Sequence, residues 1–162
     1  MEIYQFLESN GIQYKRHDHP PVFTCEDVNR LVPDLPGRKT KNLFICDNKG
    51  KKHFLVTVPD EKSVDLKLLG EALGAKRLRF ASADRLAKHL DLEPGAVTIL
   101  GVMNDTAGKV GVVVDQAIWE ADALQCHPLV NTATLVIPLD HLRRFLHATG
   151  HEPTVLDVPD RK

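Results

Sequence analysis

The residues of this chain with chemistry to offer gather at strand ends and turns: Lys41, Asn42, Gly95, Thr98, Asn104, His127 and Asn131. Each also has a structural explanation. Asn104 precedes Asp105 as a natural turn residue, Pro94-Gly95 is a turn by default, and His127 before Pro128 can simply end a strand. Cys126-His127 invites a thiol nucleophile and its base, but neighbours along a strand point to opposite faces and are poorly placed as a pair. Cys126 is therefore expected to be a small, partly buried residue. His17-Asp18-His19 could suggest a metal, yet a third ligand at suitable spacing is missing, which leaves a polar surface loop. There is no GxSxG, no HExxH, no phosphate-binding P-loop lysine motif and no GxGxxG after a strand.

Those residues need a scaffold. Arg38-Lys39-Thr40-Lys41 runs into the apolar tetrad Leu43 to Cys46, a short buried strand stopped by the turn residues Asp47 to Gly50. Lys41 and Asn42 thus sit at its mouth. Residues 51–59 make a second strand, paired to the first as a hairpin. Helices are expected over 2–9, over 24–31 with Thr24 as cap and Asp27 at N3, over 63–73 capped by Ser63, over 82–90 and over 140–147. Pro33 and Pro36 break the chain after the second helix. Further strands are expected at 12–15, 77–80 and 132–137, and 101–104 is expected to pair with 110–114 around a turn at 105–108. A single helical turn contains Trp119. Strands outnumber helices and hairpins replace regular βαβ alternation, so the expected fold is α+β with a curved, largely antiparallel mixed β-sheet. Residues 1–149 form one domain, and 150–162 turn polar and proline-rich, reading as a loose tail.

The bulk numbers narrow the class. At 162 residues, 43% hydrophobic and 27% charged, the chain suits one globular domain. A formal charge of -1 excludes general basicity, so polyanion binding must come from a local patch such as 37–41 or 49–52. Cys25, Cys46 and Cys126 form no CxxC pair and suggest neither disulfides nor zinc; a reducing, cytoplasmic setting is expected. No signal peptide and no membrane-spanning run is visible, so no membrane partner is expected.

Thr40-Lys41-Asn42-Leu43-Phe44, Pro94-Gly95-Ala96-Val97-Thr98, Val102-Met103-Asn104-Asp105 and His127-Pro128-Leu129-Val130-Asn131-Thr132 resemble the YbaK-type aminoacyl-tRNA deacylase family. That family includes the editing domain inserted in bacterial prolyl-tRNA synthetase and its free-standing relatives. The resemblance extends from about 12 to about 146, is carried also by Asp18 to Thr24 and Lys52 to Leu55, and is greatest to the free-standing branch acting on alanyl-tRNA(Pro). It implies a barrel-like sheet with surrounding helices, no cofactor, and the aminoacylated 3′ end and acceptor stem of a tRNA as partner. It implies that Lys41 holds the 3′-terminal adenosine through phosphate, a role suited to a compact ammonium. Asn42 helps place the substrate, the Gly95 loop presents backbone N–H groups to the aminoacyl carbonyl, and His127 lines the aminoacyl pocket. Thr98, Asn104 and Asn131 join Asn42 in binding. One departure stands out: many relatives carry proline where this chain has Ile99.

The mechanism implied is hydrolysis by a positioned water with help from a ribose hydroxyl, removing alanine and excluding larger residues. Two alternatives stay open: a deacylase for serine, cysteine or threonine, and a non-catalytic module that binds tRNA or a synthetase. Net charge near zero implies weak tRNA affinity, so prolyl-tRNA synthetase or an elongation factor could assist.

Overall fold

The computed structural model describes residues 2–32 and 34–161; Pro33, expected as a chain breaker, lies outside them. In chain order the elements are α1 (Ile3–Ser9), β1 (Lys15–Asp18), α2 (Cys25–Leu31), β2 (Thr40–Cys46), β3 (His53–Pro59), α3 (Leu66–Leu73), β4 (Arg79–Phe80) and α4 (Ala83–Leu90). Two 3-10 turns follow, Pro94–Ala96 and Ile99–Asn104, and then β5 (Val110–Asp115), α5 (Gln116–Trp119), β6 (Ala123–Cys126), β7 (Ala133–Pro138), α6 (Leu139–Thr149) and β8 (Thr154–Leu156). The fold is α+β. One sheet has the order β1-β7-β6, all antiparallel; the other has the order β4-β2-β3-β5-β8, antiparallel at β4-β2-β3 and parallel from β3 onward. The sheets do not close into one barrel. They are stitched where Arg38, just ahead of β2, bridges Leu124 of β6: the Arg38 amide donates to Ala123 O and the Gln125 amide to Arg38 O.

Alternation along the central strands fills a core on each face of the larger sheet. Phe44, Leu55, Val112 and Val114 face one core, with Leu90, Leu100, Leu135 and Phe145 opposite them. Ile45, Val56, Val58 and Val113 face the other, covered by Leu69 of α3 and Val158 of the C-terminal segment. Strand β5 reads as an almost unbroken valine run because it is buried on both faces.

The β2–β3 hairpin is as expected, with Gly50 at φ 66 and the Asp47 carboxylate accepting from the Lys51 and Lys52 amides. Strand β2 begins earlier than its apolar tetrad, so Lys41 and Asn42 lie within it, opposite Val58 and Thr57. Thr24 caps α2 by accepting from the Asp27 amide, as expected. Helix α3, however, is capped by Asp65, which accepts from the Leu68 amide, rather than by Ser63.

The expected 101–104 strand is the second 3-10 turn instead. Gly101 lets it press on Leu92, whose Cδ1 would lie 2.6 Å from any added Cβ, and Asp105 then caps the start of β5 through the Lys109 and Val110 amides. Freed from a hairpin, β5 pairs in parallel with β3. The segment from Gly150 is not loose. His151 is buried against Asp105, β8 adds to β5, and the Lys62 ammonium donates to Asp115 at 2.6 Å, to Asp157 and to Val158 O.

Candidate active site

The seam where β2 meets β6 opens into a cleft lined by Lys41, Asn42, Gly95 and His127, with Phe23, Thr24, Cys25 and Thr40 around them. It continues inward to a cavity of about 30 Å³ bounded by Val28, Asn42, Asp60, Gln125, Cys126 and Thr134. Four of the seven residues singled out from the sequence therefore converge.

Lys41 differs from its basic neighbours. Arg38 is paired with Glu61 at 2.6 Å and Lys39 donates to Asn29 Oδ1 at 2.8 Å, whereas the Lys41 ammonium contacts no partner among the described residues. A half-buried cation at a cleft wall that forms no ion pair, with Glu61 acting on it only at longer range, is available to an anion. Beside it, Asn42 is fixed by its cross-strand neighbour: Thr57, fully buried, donates its hydroxyl to Asn42 Oδ1 at 2.6 Å. The Asn42 amide nitrogen makes no hydrogen bond among the described residues, and the residue lines the cleft.

His127 follows the end of β6. Its Nδ1 lies 3.1 Å from Ala133 O, and a carbonyl can only accept, so Nδ1 carries the proton. Nε2 is then an acceptor with no partner among the described residues. Burial lowers the pKa of His127, and His19 nearby adds to this, so the ring is neutral near pH 7. His19 is fully engaged, with Nδ1 on Pro20 O and Nε2 on the Thr134 hydroxyl, and its ring meets that of His127 edge-on at 6.4 Å.

Gly95 sits in the 3-10 turn Pro94–Ala96, where Pro94 has no N–H and the Ala96 N–H donates to Glu93 O, so the Gly95 N–H is the one without a hydrogen bond among the described residues. A Cβ there would lie 3.0 Å from Phe23 Cδ1 and 3.5 Å from Asn131 Nδ2. Asn131 is thus behind the wall rather than on it. Its side chain donates to Val22 O, and its own carbonyl accepts from the Val22 amide, which clamps the segment bearing Phe23.

Thr98 and Asn104, expected to bind substrate, do other work. Thr98 is fully buried and caps the second 3-10 turn through the Leu100 amide. Asn104 donates to Leu90 O and ties that turn to α4. Neither lines the cleft, because the strand that would have carried Asn104 toward it is a compact turn.

Cys126 is buried in the core, and burial pushes its thiol up to about 12, so it supplies no thiolate. Among the described residues no group of three or more His, Cys, Asp or Glu is arranged to hold a metal ion.

Among the lining residues that escaped the sequence reading, three stand out. Phe23 is 72% exposed at the cleft, unusual for a ring of that size, and stands two residues after Pro20-Pro21. Asp60 is held above the usual carboxylate range by burial and by Glu61 beside it. Gln125 is buried and donates to Leu35 O and Gly37 O, which fixes the basic loop to β6. A phenylalanine two residues after Pro-Pro, ahead of the Thr24 cap, was the one signal available in the sequence.

Comparisons with known proteins converge on one family. Residues 19–145 match the aminoacyl-tRNA editing domain. The chain is 37% identical over 145 residues to the prolyl-tRNA editing protein ProX of Acetoanaerobium sticklandii, covering 90% of this chain and 88% of that protein. It is 37% identical over 157 residues to prolyl-tRNA synthetase associated domain-containing protein 1 of Danio rerio, covering 96% and 85%. Among solved structures, hypothetical protein APE2540 superposes with a TM-score of 0.75 at 19% identity, over 98% of this chain and 99% of that one, a likeness of fold.

Proposed function

This chain belongs to the aminoacyl-tRNA editing domain family, and we propose that it is a free-standing hydrolase that removes alanine mischarged onto tRNA(Pro). The observation that carries the reading is the convergence of an unpaired ammonium, an unpaired imidazole acceptor and a glycine-borne N–H in one cleft that narrows to a very small cavity.

In the proposed reaction, Lys41 holds a phosphate at the 3′ end as a point charge. The Gly95 amide faces the aminoacyl carbonyl, where a donor aimed at the developing oxyanion contributes about 3–4 kcal/mol. Water adds to the carbonyl carbon to give a tetrahedral intermediate. The bond from that carbon to the ribose oxygen then breaks, and the proton lost by water ends on the ribose oxygen, leaving alanine and a free hydroxyl. An ester is already activated, so placing the water matters more than a protein nucleophile. Neutral His127 offers Nε2 as the acceptor that orients it, alongside the neighbouring ribose hydroxyl.

Selection by size follows from the inner cavity of about 30 Å³. Apart from the Asn42 amide nitrogen, its hydroxyl and amide groups are already spent: Thr40 donates to Gln125 O, Gln125 to Leu35 O and Gly37 O, and Thr134 bonds His19. A serine or threonine hydroxyl entering there finds few open partners, which supports alanine. The test is a panel of tRNA(Pro) carrying alanine, serine, cysteine, threonine or proline, with loss of label followed over time. Alanine should be released at least tenfold faster than the others; equal rates, or none above background, would defeat the reading.

A further inference from the structure

At the opposite end of β2 from the cleft, the fold assembles a cationic surface from three separate segments. The β2–β3 turn supplies Lys49, Lys51 and Lys52, the α3–β4 loop and β4 supply Lys76, Arg77 and Arg79, and α4 supplies Arg85 and Lys88. Contacts bring them together. The Asn48 amide donates to Lys76 O at 3.0 Å, Arg79 pairs with Cys46 at the end of β2, and Arg85 donates to Gly50 O at 3.0 Å. All but Arg85 are exposed, and none of the eight is in an ion pair among the described residues.

These segments, 47–53, 76–80 and 82–90, contain only two carboxylates, Asp47 and Asp84. Asp47 is buried and turned inward onto the Lys51 and Lys52 amides. Glu71 and Lys67 flank the patch from α3 and offset each other. The rest of the chain is left with thirteen Lys and Arg against twenty Asp and Glu, so a protein of net charge -1 is strongly polarised. Phe80, 61% exposed, stands within the patch on β4 and offers an aromatic face among the cations.

We propose that this surface grips the phosphate backbone of double-stranded RNA, namely the acceptor arm of the tRNA whose 3′ end enters the cleft. The proposal rests on the tRNA reading above. From Lys41 to Cys46 β2 advances five residues, about 17 Å at roughly 3.3 Å each. An unpaired 3′ tail at about 3.4 Å per stacked nucleotide spans that distance in a few nucleotides, so paired RNA begins where the patch lies. Dispersed, exposed lysines and arginines suit sequence-independent phosphate contacts.

The test uses the full chain and two uncharged-end probes: a fluorescent RNA hairpin with an unpaired 3′ tail, and the tail alone. Anisotropy gives affinity at several salt concentrations. Lys49→Glu/Lys51→Glu/Lys76→Glu should weaken hairpin binding at least tenfold and flatten the slope of log K against log salt by about two to three. Binding of the tail alone should stay within twofold. The milder K49Q/K51Q/K76Q should move both readouts in the same direction, and thermal melts confirm the fold of each variant. Hairpin affinity within twofold of the parent in both variants overturns the proposal, as does an equal loss for the tail alone. So does a parent that binds phosphatidylserine vesicles but not the hairpin. A parent that binds the hairpin through the patch but hydrolyses nothing defeats the hydrolase reading and leaves this one standing.

Discussion

Replacing Asp105 with alanine should cost the protein about 3 kcal/mol of folding stability. Asp105 is buried and accepts three hydrogen bonds, from the Lys109 amide at 3.1 Å, the Val110 amide at 2.8 Å and His151 Nε2 at 2.8 Å. The Lys109 amide belongs to an exposed residue and can turn to water, so its loss costs little. Val110 and His151 are buried, and leaving each donor without an acceptor costs about 1–3 kcal/mol. Their combined loss is about 3 kcal/mol. Denaturant unfolding at pH 7 measures it. Asp105→Asn, which keeps one acceptor oxygen, should cost about half as much. The His151 bond pulls Asp105 below the usual carboxylate range despite its burial. A carboxyl depressed in the folded state contributes stability above its unfolded pKa, and that contribution fades as pH falls through the folded value. The gap between parent and Asp105→Ala should therefore narrow in acid. An alanine variant within about 1 kcal/mol of the parent at pH 7, or a gap that widens in acid, would refute the idea that this pair anchors the C-terminal segment.

Three further outcomes follow from the site. Gly95→Ala puts a methyl 3.0 Å from Phe23 and against the expected path of the carbonyl; hydrolysis should fall about tenfold, roughly 1.4 kcal/mol, with the melting temperature unchanged. Because burial lowers the pKa of His127, its neutral form survives below the ordinary histidine value. Single-turnover hydrolysis should thus stay level as pH falls past about 6.5 and decline only in more acid solution, a decline that His127→Asn removes. Cys126→Ala should keep hydrolysis within about threefold, since a thiol held near 12 donates no thiolate at neutral pH, while costing about 1 kcal/mol of stability as a small buried truncation.

What the sequence disclosed and what it hid divide along physical lines. The β2–β3 hairpin was legible because an apolar run, an Asp-Asn-Lys-Gly turn and a second apolar run are local signals. So was the α2 cap at Thr24. The pairing of β5 with β3 was not, because a parallel ladder is set by contacts far apart in the chain, and the valine run of β5 fits a hairpin equally well. The docking of 150–162 depends on Lys62 and Asp105, more than forty residues away, while its proline-rich composition argued for looseness. The same distinction governs the site. Lys41, Asn42, Gly95 and His127 were found through their spacing within a family pattern and do meet in one cleft. Thr98 and Asn104 shared that pattern but serve the 3-10 turn that lies beneath it. Nothing local separates a cap from a ligand.

The central claim is that Lys41 is the anion-holding group of an editing site. It is tested most directly by kcat/KM for alanine release from tRNA(Pro), compared between the parent and Lys41→Ala, with Lys39→Ala as the control. A charge-assisted contact is worth about 1.5–3 kcal/mol, so Lys41→Ala should lose roughly 10- to 100-fold while Lys39→Ala, whose ammonium is spent on Asn29, stays within about threefold. Equal rates for the parent and Lys41→Ala would contradict the account.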